Sequence, residues 1–313
     1  MLTEVGLLII GFILLVKGAD VFVDASVNIA MALKIPNIIV GLTIVAIGTG
    51  MPEVVITISA SLSGHNDLAI SNIVGSNIFS MFFIVGISAL IRPIAINIYD
   101  FSRDLWVSIF AVIFLLLAMI LFENIIPRYI SGVFLMLFII YTFYLIKKAM
   151  KERAEIHVGK TSRSLSTSLL IALLGGVLII VGGQITVNSA VNIATLLGIS
   201  QRIIGLTVVA MGTSLPELTT SIIAAKKDQA DLALGNILGS SVFNIFGILG
   251  IAGVITPLLI NKALLVDTLF LIVASIAFFI AVFIKKSITR SVGGGIFTLY
   301  MGYLTYILFF QSY

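Results

Sequence analysis

Apolar residues recur along this chain in runs of about 20, long enough for a helix to cross a hydrocarbon core about 30 Å thick. Ten runs are legible, near residues 5–32, 38–62, 69–91, 104–122, 129–148, 168–197, 203–225, 232–256, 264–284 and 291–310. Polar residues gather between them. The one long polar stretch, KKAMKERAEIHVGKTSRSLS from Lys147 to Ser166, divides the runs five and five. The pattern predicts an all-α membrane protein. Residues 1–146 form a first five-helix repeat, 147–166 a linker, and 167–313 a second five-helix repeat. Two runs break their own rule. GTGMPEVVITISA from Gly48 and GTSLPELTTSIIA from Gly212 place a proline and then a glutamate where a lipid-buried helix tolerates neither.

Composition agrees: the chain is 60% hydrophobic and 10% charged, against roughly 25% charged in soluble domains. The first run follows Glu4, with no basic stretch before it and no small-residue cleavage site after it, and reads as a retained span. The absence of cysteine excludes disulfides, thiolate catalysis and cysteine metal sites. The net charge of +4 is an orientation signal rather than a nucleic-acid patch. With the N-terminus placed outside, the loops that become cytoplasmic hold fourteen Lys and Arg residues, and the outer loops hold Arg128, Arg202 and Lys262. The expectation is a multi-pass cell-membrane protein with both termini outside and the central loop in the cytoplasm.

The halves align without a gap at an offset of 164 residues. Between Val27 and Ser80, 26 of 54 positions match their counterparts, including Gly, Asn, Pro, Glu and Asp. Similar hydrophobicity alone does not align such residues. Because five spans is an odd number, the second copy must lie inverted. Inverted repeats with interrupted helices at matching places are the pattern of secondary transporters, whose substrate site lies at the repeat interface near the midplane.

Pro52 lacks an N–H and crowds the carbonyl of Gly48; Pro216 does the same at Gly212. Irregular backbone at membrane depth is tolerated where it lines a cavity or is buried in protein. Into each break projects an acid, Glu53 or Glu217. No basic residue stands in the neighbouring spans at that depth. One span later, Asn72, Ser76 and Ser80 recur every four residues on one helix face, and Asn236, Ser240 and Asn244 do the same in the second half. Such a stripe alone could join helices. Beside a Pro-Glu break in both halves, it completes an all-oxygen cage of the kind hard cations such as Ca²⁺ require.

In these residues the sequence resembles the calcium/cation antiporter superfamily, in its prokaryotic sodium/calcium exchanger-like branch. The resemblance covers both GT(G/S)xPE segments, both polar stripes, the span count and the basic central loop. It implies cation positions around Glu53 and Glu217, with the carbonyls of Thr49 and Thr213 holding Ca²⁺. Flanking Na⁺ positions would use Ala46, Thr49 and Ser76, and Ala210, Thr213, Ser214 and Ser240, while Ser80 and Asn244 face the centre. It further implies that the first and sixth spans slide across the rest to alternate access. Gly50 departs from the pattern, standing where the second half has Ser214.

The implied function is antiport of Ca²⁺ against Na⁺, with both ions as cargo, the bilayer as surroundings, no cofactor, no enzymatic activity and no evident obligate protein partner. Coupling to H⁺ or K⁺ remains open, and a channel or a membrane hydrolase could use acids too. The single-chain repeat favours a carrier over a channel, and two glutamates without a Ser/His pair or water-activating metal ligands argue against a hydrolase. Asp20 and Asp24 could attract cations; the simpler expectation pairs Lys17 with Asp20 on one helix face. Asp67 and Asp231 are expected to cap the third and eighth helices. The Gly18 and Gly182 match, with Gly175 and Gly176 nearby, predicts close backbone contact or a bend for sliding helices. His65 and His157 fall in loops.

Overall fold

The computed structural model describes residues 1–62, 66–123, 125–152, 164–198, 210–260 and 263–310. Helices dominate, as they must where lipid offers the backbone no hydrogen-bond partner. In chain order they are α1 (Leu2–Leu33), α2 (Asn37–Thr49), α3 (Met51–Leu62), α4 (66–91), α5 (Ile98–Leu121), α6 (Arg128–Glu152), α7 (Leu165–Leu196), α8 (Ala210–Gly212), α9 (Leu215–Lys226), α10 (Ala230–Ile255), α11 (Ala263–Lys285) and α12 (Arg290–Phe310). Among the described residues seven helices are long and apolar enough to span a membrane. An eighth span is added when α2 and α3, bent by 49° at Gly50, are taken together. The seventh predicted run begins in 203–209, outside the described residues.

Polarity is inverted relative to a soluble protein. Leu121, Phe143, Leu173 and Ile284 face outward, whereas Glu53, Asn77, Glu217, Asn236 and Asn244 are buried. That is the arrangement of a multi-span membrane protein. The most enclosed helices are α4 and α10, and α1 and α7 lie at the edge.

The 164-residue offset reappears in three dimensions. Each of α4 and α10 carries one π-helical turn, at Phe79–Ile84 and Phe243–Ile248, which are counterparts residue for residue. Short antiparallel ladders join β1 (Ile94–Ala95) to β4 (Ser287–Ile288), and β2 (Ile125–Ile126) to β3 (Leu258–Leu259). A shift by 164 carries β1 onto β3 and β2 onto Thr289 and Arg290, directly after β4. The edge helices make the relation clearest. A Cβ on Gly11 would lie 3.0 Å from the carbonyl of Gly182, and one on Gly18 would lie 3.0 Å from that of Gly175. Each glycine contact is the image of the other. Contacts that pair 11 with 182 and 18 with 175 require α1 and α7 to run antiparallel. Small residues allow this backbone approach, which is how helices associate tightly in lipid.

Two expectations are corrected. Asp20 pairs not with Lys17 but with Lys227, at 2.8 Å, and Lys227 also holds Asp24 at 2.7 Å. Asp231 does not cap α10: the N-cap is Gln229, without a side-chain cap bond, and Asp231 sits in the first turn. There it still complements the positive end of the helix dipole. The side chain of Asp67, together with His65 and His157, lies outside the described residues. The helix α6 continues to Glu152.

Candidate ion-binding site

Each break leaves a half-helix whose first turn carries the acid. Glu53 stands in the first turn of α3 and Glu217 in the first turn of α9, each directly after its proline. Proline costs nothing there, because the first N–H groups of a helix have no partner within it. The unpaired N–H groups and the helix dipole favour a negative charge at this end. That supplies part of the compensation no basic residue gives. Both acids are almost wholly buried, 1% and 2% exposed, so their charge must be met from inside the protein.

The halves exchange hydrogen bonds across the site. Ser214 of the second break donates to Glu53 Oε1 at 3.1 Å and lies 3.1 Å from Ser76 Oγ. Thr213 also reaches Glu53, and Thr49 of the first break reaches Glu217. Thr49 Oγ1 lies 3.1 Å from both Val45 O and Asn236 Oδ1. Its single proton can serve one acceptor at a time, which leaves lone pairs available for a cation. This closeness depends on α2 lying directly on α10, where a Cβ on Gly41 would fall 2.9 Å from Gly235 Cα.

Amide side chains form an outer layer. Asn72 Nδ2 donates to Thr57 Oγ1 at 3.3 Å, and its image, Asn236 Nδ2, donates to Ser221 Oγ at 3.0 Å. Each bond ties a central helix to the half-helix beyond its break. Asn244 Nδ2 donates to Asn77 Oδ1 at 2.9 Å, and Asn77 Nδ2 donates to the carbonyl of Ser241, its own counterpart, at 3.3 Å. With its donor engaged by Asn77, Asn244 keeps its own oxygen unpartnered. Glu53 Oε2, Glu217 Oε2 and Asn244 Oδ1 are buried without a hydrogen-bond partner. Buried oxygens in that state are costly unless something else binds them, and together they present the donor set of a hard cation.

Thr49, Glu53, Ser76, Ser80, Thr213, Ser214, Glu217, Ser240 and Asn244 are all buried in the interior with Ala46, and Ala210 opens α8. Sequence reasoning missed Asn77, Ser221 and Thr57. Asn77 breaks the four-residue spacing of the stripe. Thr57 and Ser221 carry a signal, since they occupy matching positions and both are hydroxylic.

A cleft of about 470 Å³ reaches the site from one side. Pro52, Thr213 and Pro216 form its inner end, and Gln184, Asn188 and Asn192 of α7 line its wall. It leads toward the end of the bundle where Asn192 Nδ2 donates to Glu4 Oε2 at 3.2 Å. The image of this wall is the opposite face of α1, where Asp20 and Asp24 stand in place of Gln184 and Asn188. Val23, the image of the cleft-lining Val187, is fully buried.

Comparison with known proteins places this geometry. Residues 3–147 and 167–309 match the family described as sodium/calcium exchanger protein. The sodium/calcium exchanger MaX1 of Methanosarcina acetivorans is 32% identical across 97% of this chain and 98% of its own length. Inner membrane protein YrbG of Escherichia coli is 35% identical over 82% of this chain and 81% of its own. A solved structure of the sodium-calcium exchanger NCX_Mj, soaked with Na⁺ and Ca²⁺, superposes with a TM-score of 0.85 at 32% identity and covers 99% of both chains. The chain belongs to the sodium/calcium exchanger protein family.

Proposed function

We propose that this protein is a secondary antiporter that exchanges Ca²⁺ for Na⁺ by alternating access, with both ions held at the midplane by Glu53 and Glu217. Family membership makes it a membrane cation exchanger. The observation that carries the finer reading is the pair of buried half-helix glutamates, one from each half, whose Oε2 atoms lack protein partners. Carboxylate, hydroxyl, amide and carbonyl oxygens suit Ca²⁺, which takes about 6–8 oxygens. They suit Na⁺ as well, and the two ions compete for the same oxygens.

Exchange follows from charge. Two carboxylates give the cage a charge of −2, which one Ca²⁺ or two Na⁺ neutralise. An unloaded cage would carry that charge through a low-dielectric interior, where Coulomb terms are large. Loaded carriers therefore cross between states and empty ones do not. The moving body is α1 with α7, locked through their paired glycines, sliding across the remaining helices. Antiparallel α1 and α7 and the exchanged ladders support an inverted repeat of ten spans. In the orientation set by the basic loops, the cleft along α7 opens to the outside and the linker lies in the cytoplasm.

The test is ⁴⁵Ca²⁺ uptake into proteoliposomes under imposed Na⁺, K⁺ or H⁺ gradients. Uptake driven by an outward Na⁺ gradient is expected. Uptake driven only by a pH gradient, or only with K⁺ present, contradicts the assignment of Na⁺ as sole coupling ion.

A further inference from the structure

A second cavity, a groove of about 550 Å³, lies between α11 and α12. Phe270 of α11 and Gly295, Thr298, Gly302, Tyr303 and Tyr306 of α12 line it, and none of them belongs to the ion site. Positions 295, 298, 302 and 306 share one helix face. A Cβ at Gly295 or at Gly302 would meet nothing within 4 Å, so no part of the described protein fills the notches they leave.

The other half fills the same places. The images of Gly295 and Gly302 are Ser131 and Phe138 of α6, and both pack onto α10. A Cβ on Gly253 would lie 2.6 Å from Ser131 Cβ, and the Phe138 ring stands 5.3 Å from that of Phe243. The helix α12 turns a different face to its neighbour. A Cβ on Gly86 of α4 would lie 3.0 Å from both the Gly293 carbonyl and Phe297 Cβ, and Tyr300 packs edge-on against Phe79 at 5.7 Å. The face that α6 buries is therefore left open along α12.

One end of this groove is basic. Lys285 closes α11, Lys286 follows in the turn and Arg290 opens α12, and all three are exposed. None makes an ion pair among the described residues, whereas Arg92, Arg103, Lys148 and Lys227 all do. Between Thr268 and Tyr313 the sequence holds no Asp or Glu. Along the helix axis Gly295 lies roughly 7 Å from Arg290, about the depth of a headgroup layer. Tyr306 lies a further ~16 Å on, about one leaflet of hydrocarbon.

We propose that this groove binds one anionic phospholipid, with its phosphate held by Lys285, Lys286 and Arg290 and an acyl chain laid along Gly295, Thr298 and Gly302. Basic residues at a bilayer surface attract anionic headgroups, and the open notches give a chain somewhere to lie. Glycine notches also let helices associate. A second copy in the same membrane orientation, however, would bring three more bases to the same end, where like charges repel. The inference does not depend on which ions are exchanged.

The test titrates phosphatidylglycerol and phosphatidylcholine separately into the detergent-solubilised protein and counts retained lipid by native mass spectrometry. One phosphatidylglycerol per chain is expected, held roughly 10- to 100-fold more tightly than phosphatidylcholine. Lys285→Gln, Lys286→Gln and Arg290→Gln, all at exposed positions, should each weaken phosphatidylglycerol roughly 5-fold. Gly295→Leu with Gly302→Leu fills the groove and is expected to abolish the retention. Equal retention of the two lipids by the wild-type protein overturns the proposal, a result that needs no variant to fold. A folded Gly295→Leu, Gly302→Leu protein that keeps its phosphatidylglycerol overturns it as well. A wild-type dimer that the same two leucines dissociate would assign the groove to a second copy and contradict the inference.

Discussion

Removing the Lys227 ammonium is expected to release α1 and favour the state opposite to the one described. Lys227 follows the last residue of α9 and bridges two carboxylates and one carbonyl of α1: Asp20 Oδ1 at 2.8 Å, Asp24 Oδ1 at 2.7 Å and Asp20 O at 3.0 Å. The counterparts of the two acids on α7 are Gln184 and Asn188, which bond to each other at 2.9 Å and line the open cleft. One side of the bundle is therefore latched by charge, and its image carries neutral amides. Burial pulls the ammonium's pKa down, but the hydrogen bonds it donates to Asp20 and Asp24 outweigh that and hold the pKa above the usual 10.5. A raised lysine pKa means that the contribution is fully present below that ordinary value and is lost only as pH climbs through the raised one.

The side chains of Asp20 and Asp24 are 48% and 56% exposed and that of Lys227 is 27% exposed, so solvent screens both pairs. Exposed ion pairs contribute about 0.2–1 kcal/mol each; two that share one cation amount to about 0.4–1.4 kcal/mol. That shifts an equilibrium roughly 2- to 10-fold. The chain has no cysteine, so Val23→Cys provides a single thiol that is fully buried in the latched state. Its rate of modification by a small membrane-impermeant maleimide reports the opposite state. In the Lys227→Gln background that rate is expected to rise roughly 2- to 10-fold. Salt should raise it in the parent and leave the variant unchanged, because exposed pairs are screened. An unchanged rate in Lys227→Gln refutes the latch.

Other perturbations follow from the same geometry. Gly182→Val brings a Cβ to 2.5 Å from Leu15 N and 2.7 Å from Gly11 O; it is expected to cost about 1–3 kcal/mol and lower the thermal midpoint of the detergent-solubilised protein. Asn77→Ala removes the acceptor of Asn244 Nδ2. Ca²⁺ affinity measured by calorimetry should then weaken roughly 10- to 100-fold, as when an outer-layer partner of a metal ligand is lost. Glu53→Gln and Glu217→Gln should each abolish ⁴⁵Ca²⁺ exchange while leaving the detergent-solubilised protein folded, because a buried charge left without its ion is costly.

What was legible in the sequence was whatever the repeat doubled. The breaks at Pro52 and Pro216, the two glutamates and the polar stripes each occur twice at one offset, and both glutamates are buried with Ser76, Ser80, Asn236, Ser240 and Asn244. The same offset would have exposed the paired contacts of α1 and α7, since Gly11 is the image of Gly175 as Gly18 is of Gly182. Lys227 could not be paired from sequence. Its acids lie more than 200 positions earlier, and an i,i+3 neighbour, Lys17, offered a local answer. Nor could the π turns at Phe79–Ile84 and Phe243–Ile248 be read, because no residue type commands that winding and packing selects it. Gly50 stood out as a missing hydroxyl, but only the packed structure shows what stands beside it, the Ala46 carbonyl at 3.0 Å and the Phe243 ring at 3.3 Å from where a Cβ would lie.

Anomalous scattering from Ca²⁺ in crystals of this protein addresses the ion site directly. The account predicts a single strong peak with carboxylate oxygens of both Glu53 and Glu217 at about 2.3–2.6 Å, fading as Na⁺ replaces Ca²⁺ in the soak. A peak bound to one acid or to neither, or one that Na⁺ leaves untouched, would contradict it.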